Sequence, residues 1–298
     1  MILSLRIAAR FSLVVLAAAM LRAQQIPAAV VSDPPPDKTH PATMESPDIP
    51  SHGAILYSVF YLASGAGPHP TVLLIQGFPG NEKNLDLAYS MRRAGWNVLV
   101  PFYRGSWGSG GTFSFTHALE DAQAEVQFVR DPQNVNKYHI DPKRIVLVGH
   151  SFGGFTVAYV TAHDPEIFAV AMISPADLGP STLRAQAHDP QELLARYGAN
   201  ASRLAGTTVQ ALLDEVKQNA PTWNYVDYAP ALKNRPVLIV EADDRNLGDN
   251  RDLASALRKA GNARVIETHL PTDHSFSDHR IALQAIVVDW LQGLAAHK

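Results

Sequence analysis

The sequence predicts an α/β domain: a mostly parallel central sheet with helices on both faces and a small helical cap inserted between two strands. Two observations carry this. From residue 55 onward, short runs rich in Val, Ile and Leu alternate with helix-length segments. Runs such as Val72-Leu73-Leu74-Ile75 and Ile145-Val146-Leu147-Val148 are apolar without alternation, the pattern of strands buried on both faces of a parallel sheet.

The elements follow in order. Strands are predicted over 55–62 and 71–75, then a helix over 81–94 that Gly95 can end in the left-handed conformation. A strand over 96–100 precedes a helix over 116–130, whose Leu119, Ala122, Val126 and Val129 recur at three- and four-residue steps. Further strands are predicted over 144–148, 167–173, 236–241 and 263–270, with helices over 152–163, 250–260 and 277–295. The long departure from alternation spans about 177–229, where 191–197 and 209–217 read as short amphipathic helices. A cap placed there would roof a pocket at the carboxyl ends of the strands, where open α/β sheets bind their ligands. Trp223, Tyr225 and Tyr228, which close the insertion, read as core side chains, with the lining of an acyl or aromatic pocket as the alternative.

Three regions are expected. Residues 1–23 carry Arg6 and Arg10 ahead of an apolar run too short to span a bilayer, ending at Leu21-Arg22-Ala23, the pattern of a cleavable secretory signal peptide. Residues 24–50 are Pro-rich and read as an arm or linker, and 51–298 as the functional domain. Loss of such a leader, with its three arginines and no acidic residue, would take the formal charge from −3 to −6. Nucleic acid is therefore not an expected partner. A secreted or periplasmic location is expected, with no membrane span left after cleavage. The chain has no cysteine, which excludes disulfides, thiol catalysis and cysteine-ligated metal.

Gly149-His150-Ser151-Phe152-Gly153 fits G-x-S-x-G. Its predicted strand on one side and helix on the other are the context in which such a turn projects a serine nucleophile. A serine hydroxyl is a weak nucleophile at neutral pH and needs a histidine base that is itself oriented by a carboxylate. Both follow in the chain: Asp243-Asp244 ends the predicted strand over 236–241, and His274 lies just after the strand over 263–270. Counting from the strand and from Leu247 favours Asp244 as the acid, with Asp243 the alternative. His269 and His279 read as surface histidines. Gln76-Gly77-Phe78-Pro79-Gly80 follows an early strand, so the backbone N–H groups of Phe78 and Phe152 are the candidate oxyanion donors. The glycine-rich stretch 104–111 lacks the spacing of a phosphate-binding loop and reads as a flexible loop.

These pieces, in this order, resemble the α/β-hydrolase superfamily over residues 52–298. Tyr103-Arg104-Gly105-Ser106-Trp107-Gly108-Ser109-Gly110-Gly111, Ala118-Leu119-Glu120-Asp121 and the Ser151 turn resemble the catalytic domain of prolyl-oligopeptidase-type and dienelactone-hydrolase-type enzymes. The resemblance implies the α/β-hydrolase fold and a serine hydrolase without a cofactor. Gln76 stands where such enzymes usually carry His, and Glu241 where Gly is common. The chain has no room for the β-propeller that restricts prolyl oligopeptidases to short peptides. Hydrolysis of small carboxylic esters is the leading expectation, with a peptidase or amidase of prolyl-oligopeptidase type as the alternative and a non-catalytic binding protein of the same fold as the second. Oligomeric state is not legible.

Overall fold

The structure, a computed structural model, describes residues 26–296. The leader expected over 1–23 lies outside the described residues. Among those described, no helix is long and apolar enough to cross a membrane.

The strands are β1 (Thr43–Glu45), β2 (Ile49–Ser51), β3 (Ala54–Leu56), β4 (Ser58–Leu62), β5 (His69–Ile75), β6 (Asn97–Pro101), β7 (Ile140–His150), β8 (Ala169–Ile173), β9 (Val237–Glu241) and β10 (Val265–His269). Eight form one sheet in the order β1-β4-β6-β5-β7-β8-β9-β10, and β2 and β3 make a separate hairpin. β1, β4 and β6 pair antiparallel, and every pairing from β6 to β10 is parallel. The fold is thus the mostly parallel, helix-covered α/β-hydrolase sheet.

The unalternated strand sequences serve two cores. Leu73, Leu99, Leu147, Met172 and Ile239 face one side, against Phe115, Val126 and Phe155 of the helices Phe115–Arg130 and Phe152–His163. Their neighbours Leu74, Val98, Val148, Ala171 and Val240 face the other, against Leu87 of helix Leu85–Arg93 and Leu283 and Val287 of helix Arg280–Ala296. Each such aliphatic side chain contributes about 1.5–3 kcal/mol on full burial.

Departures from the sequence expectations have local causes. The strand over 55–62 is split at Tyr57, because β3 pairs with β2 while β4 joins the main sheet, and the Ser109 hydroxyl takes the Tyr57 N–H at 2.8 Å. The helix expected from 81 begins at Leu85: Asn84 is left-handed, with φ of 53°, and its N–H goes to the Glu82 carboxylate. The last helix starts at Arg280 rather than 277, because Asp273 takes the N–H groups of Ser275 and Ser277 in a turn. Gly95 does close its helix, with φ of 92°. Within the Pro-rich 26–50, β1 adds an outer strand to the sheet, and Arg93 donates to the carbonyl of Ala29. The glycine-rich stretch is pinned rather than loose: Arg104 is buried in an ion pair with Asp121 at 2.6 Å, and the Gly105 N–H closes on the Gly110 carbonyl.

The insertion leaves after β8 and forms helices Leu178–His188, Pro190–Ala201 and Val209–Asn219 before returning to β9. The first of these was not expected. Leu178-Gly179-Pro180 reads as a loop, yet Pro180 sits in the first helical turn, where a missing N–H costs no hydrogen bond. Trp223, Tyr225 and Tyr228 are buried, as read.

The two ends of the insertion meet at Asp177, which is buried and accepts the Tyr225 N–H at 3.1 Å. Burial, with Asp249 and Asp227 nearby, raises its carboxyl to about 7, against a compensating contribution from the Tyr225 bond. An acid whose pKa is higher folded than unfolded binds more protons when folded, so its contribution to stability declines as pH climbs from about 4 to 7 and is level above that. Asp177→Asn, which keeps an acceptor for Tyr225, should therefore gain Tm relative to the parent progressively across that window. Thermal melts of both proteins from pH 4 to 8 check this; a Tm difference that does not vary with pH would refute it.

Candidate active site

Five neighbouring strands bring the candidate residues to one rim of the sheet. In the order β5, β7, β8, β9, β10, their carboxyl ends lead into Gln76–Gly80, Ser151, Ser174, Asp244 and His274. Ser151 and His274, 123 positions apart in the chain, thus sit side by side.

Ser151 stands between β7 and helix Phe152–His163 with φ of 58° and ψ of −121°, and its side chain makes no capping bond to that helix. Positive φ in a non-glycine residue is costly and must be held by its surroundings. Here backbone packs directly on backbone. A Cβ on Gly149 would lie 2.1 Å from the Gly153 carbonyl oxygen, and one on Gly153 would lie 2.3 Å from that of Ile75, so both glycines are required for the turn. The Ser151 N–H is fixed by the Ile173 carbonyl at 2.9 Å.

The Ser151 Oγ lies 2.9 Å from His274 Nε2, and His274 Nδ1 lies 2.6 Å from Asp244 Oδ2. A carboxylate only accepts, so Nδ1 carries the proton and Nε2 is left as the acceptor facing the hydroxyl. Burial alone would raise the Asp244 carboxyl; hydrogen bonds from His274, Ser174 and the Asn246 N–H outweigh it and hold the group below the usual carboxylate range. Asp243 points elsewhere. Its carboxylate is more than half exposed and meets His269 at 2.8 Å. His279 meets Asp278 on the surface.

Three polar residues at the site escaped the sequence reading. Ser174 donates to Asp244 Oδ2 and lies 3.0 Å from His274 Nδ1, and Asn246 Nδ2 reaches the Ser174 carbonyl at 3.2 Å. His150 is fully buried and meets the His274 carbonyl at 2.8 Å through Nε2, which must therefore be the protonated nitrogen. Burial, reinforced by the nearby His274, lowers its pKa to about 3, so it stays neutral and acts as a fixed donor beneath the His274 backbone.

Phe78 and Phe152 both border the cavity into which Ser151 opens. The Gln76–Gly80 loop presses on the serine, since a Cβ on Gly77 would be 3.0 Å from that of Ser151. Phe152 opens its helix, where N–H groups have no intrahelical carbonyl to meet. The cavity is about 110 Å³. Phe115 and Leu178 form apolar wall, and Tyr197, Arg196 and Arg245 add polar groups. Because Leu178, Arg196 and Tyr197 come from the first two helices of the insertion, the cap forms part of this cavity.

Comparison with known proteins agrees with this architecture. An archaeal esterase from Pyrobaculum calidifontis superposes with a TM-score of 0.62 at 18% identity, covering 86% of this chain and 88% of that one. An acylaminoacyl peptidase from Pyrococcus horikoshii gives 0.64 at 14% identity, covering 84% of this chain and 41% of that one. At such identities these likenesses speak for the fold alone. An uncharacterized protein, YfhR, of Escherichia coli O157:H7 is 29% identical over 134 residues, 42% of this chain and 45% of its own, and the protein of that name in strain K12 is similar at 29% over 131 residues. The chain thus spans less than half the length of the curated relatives it matches. The family model described as the prolyl oligopeptidase family matches residues 85–298, well over half of the chain and including the turn at Ser151. The chain belongs to the prolyl oligopeptidase family.

Proposed function

We propose that the protein is an exported esterase that cleaves small carboxylic esters through an acyl-enzyme on Ser151. The observation that carries this reading is the unbroken line from Ser151 Oγ through the His274 ring to Asp244, at 2.9 and 2.6 Å. In the proposed reaction the Ser151 oxygen attacks the ester carbonyl while its proton passes to His274 Nε2. Asp244 holds the ring and stabilises the imidazolium that results. The N–H groups of Phe78 and Phe152 receive the oxyanion. Collapse of the tetrahedral intermediate breaks the bond to the alkoxy oxygen, which takes the proton from His274. Water, deprotonated in turn by His274, then releases the acid and restores the serine.

A small cavity with an aromatic wall suits a compact acyl group better than a peptide lying along an open groove. Peptidase activity stays the second reading because it uses the same machinery and the family is defined by oligopeptidases. Export rests on Arg6, Arg10 and the apolar run that follows, and with it the division into a leader over 1–23, an arm over 24–50 and the hydrolase domain over 51–298.

Fluorophosphonate labelling of cells expressing the full chain tests both parts. One labelled species with the mass of residues 24–298 is expected outside the cytoplasm, and Ser151→Ala should abolish the label. An unlabelled wild type sinks the nucleophile, and a labelled cytoplasmic protein of full mass sinks export. On a panel of p-nitrophenyl esters and aminoacyl p-nitroanilides, short-chain esters should give the highest kcat/KM. Preference for the anilides would select the peptidase.

A further inference from the structure

The cavity beside Ser151 holds two guanidinium groups that no part of the proposed chemistry uses. Arg196 comes from the second cap helix and is half-buried; Arg245, next in sequence to Asp244, comes from the loop after β9 and is exposed. Among the described residues neither forms an ion pair. The carboxylates close by are committed elsewhere, Asp244 to His274 and Asp249 to Arg184. Glu192, one turn before Arg196 on the exposed side of its helix, attracts it only at a distance.

Arg196 lies over the Tyr197 ring at 5.9 Å, a weak neutral partner, so two like charges on one small cavity, one of them half withdrawn from water, still call for a counter-charge. Burial and the charge of Arg245 both push the Arg196 pKa down, which marks the same repulsion. Phe78, Phe115 and Phe152 give the same cavity an apolar, aromatic wall. We infer that the natural substrate carries a carboxylate a few bonds from its scissile carbonyl, and that Arg196 and Arg245 bind it while the aromatic wall takes the short spacer between the two groups. This rests on Ser151 being the nucleophile. The cavity of 110 Å³ has room for about four waters' worth of substrate, enough for the short spacer and carboxylate of a dicarboxylic half-ester but not for a long acyl chain.

Guanidinium–carboxylate bonds are directional and about twice as strong as neutral hydrogen bonds, so discrimination of roughly 10- to 100-fold is expected. The test measures hydrolysis of monomethyl glutarate against its neutral isostere, methyl glutaramate, which puts the charge on the acyl side. A second arm, acetoxyacetate against acetoxyacetamide, puts it on the alcohol side. At least one arm should show the carboxylate preferred by tenfold or more in kcat/KM. Arg196→Gln and Arg245→Gln should each bring that ratio close to unity, whereas Arg184→Gln, a charge loss on the cap away from the cavity, should leave it unaltered. Because the readout is a ratio, a general loss of activity in a variant cancels.

Calorimetric titration of the Ser151→Ala protein with the same four compounds gives a readout without turnover, and the carboxylates should bind at least tenfold more tightly than the amides. Wild-type protein that hydrolyses none of the esters, beside a Ser151→Ala protein that still discriminates, would refute the nucleophile and leave the arginine pair standing. Hydrolysis or binding without discrimination in both arms would overturn the arginine pair and leave the nucleophile standing.

Discussion

His274→Ala should lower kcat on any ester the protein hydrolyses by about 10⁴- to 10⁶-fold, with KM changed little. The size of the effect follows from what the ring does. Without an acceptor 2.9 Å from its oxygen, the Ser151 hydroxyl has nowhere to send its proton as it attacks, and the departing alkoxide has no donor. The residual rate would come from substrate binding and the amides at Phe78 and Phe152 alone. The fold should survive the change: the His274 side chain is about one-third exposed, and although its ring packs against that of His150 at 4.8 Å, the hydrogen bond between the two residues is made by its backbone carbonyl, which the substitution keeps. Steady-state kinetics, with a thermal melt to show that the variant is folded, check this. A variant retaining a tenth of wild-type kcat would mean that the observed line of hydrogen bonds is not the proton path.

Asp244→Asn should cost about 10³- to 10⁴-fold in kcat, and Asp243→Asn less than twofold. The adjacent carboxylates differ by environment, not by chemistry. Asp244 is largely buried, receives Ser174, the Asn246 N–H and the His274 ring, and is kept ionised by those bonds. An asparagine there either turns its NH₂ to the ring, forcing the proton onto Nε2 where it blocks the serine, or keeps the tautomer and loses the charge that stabilises imidazolium. The Asp243 carboxylate meets His269, in the open. Parallel kinetics of the two variants check the assignment, and equal losses would overturn it.

Much of the architecture was legible because the strands announce themselves chemically. Residues that must be apolar on both faces leave no polar alternation, and helix Phe152–His163 was delimited to the residue by the motif before it. Boundaries set by side chain to backbone bonds were not legible: the Glu82 and Asp273 carboxylates each take N–H groups that a helix would otherwise have used. Nor was the first cap helix, since its Gly179-Pro180 start imitates a loop.

At the site, Ser151, His274 and the Asp243-Asp244 pair could be proposed from motif and order, because the chemistry constrains residue type. Ser174 could not, because nothing in its own segment distinguishes it. Its significance lies in β8 running between β7 and β9, which places the residue after Ile173 between Ser151 and Asp244. A sequence reading that fixed strand order before seeking residues would have found it. His150 hid in the variable position of its motif, and Arg196 on a helix whose partner surface only the fold reveals.

The turn at Ser151 bears on how the hydroxyl is spent. Serine ahead of a helix ordinarily folds its oxygen back onto the second or third N–H of that helix, an arrangement that would occupy a lone pair and draw the group out of reach. With φ at 58° the side chain makes no such bond. Relaxing this one residue to an ordinary extended conformation would let the oxygen retire into the helix it precedes, so the distortion serves to deny the Ser151 hydroxyl a comfortable resting partner.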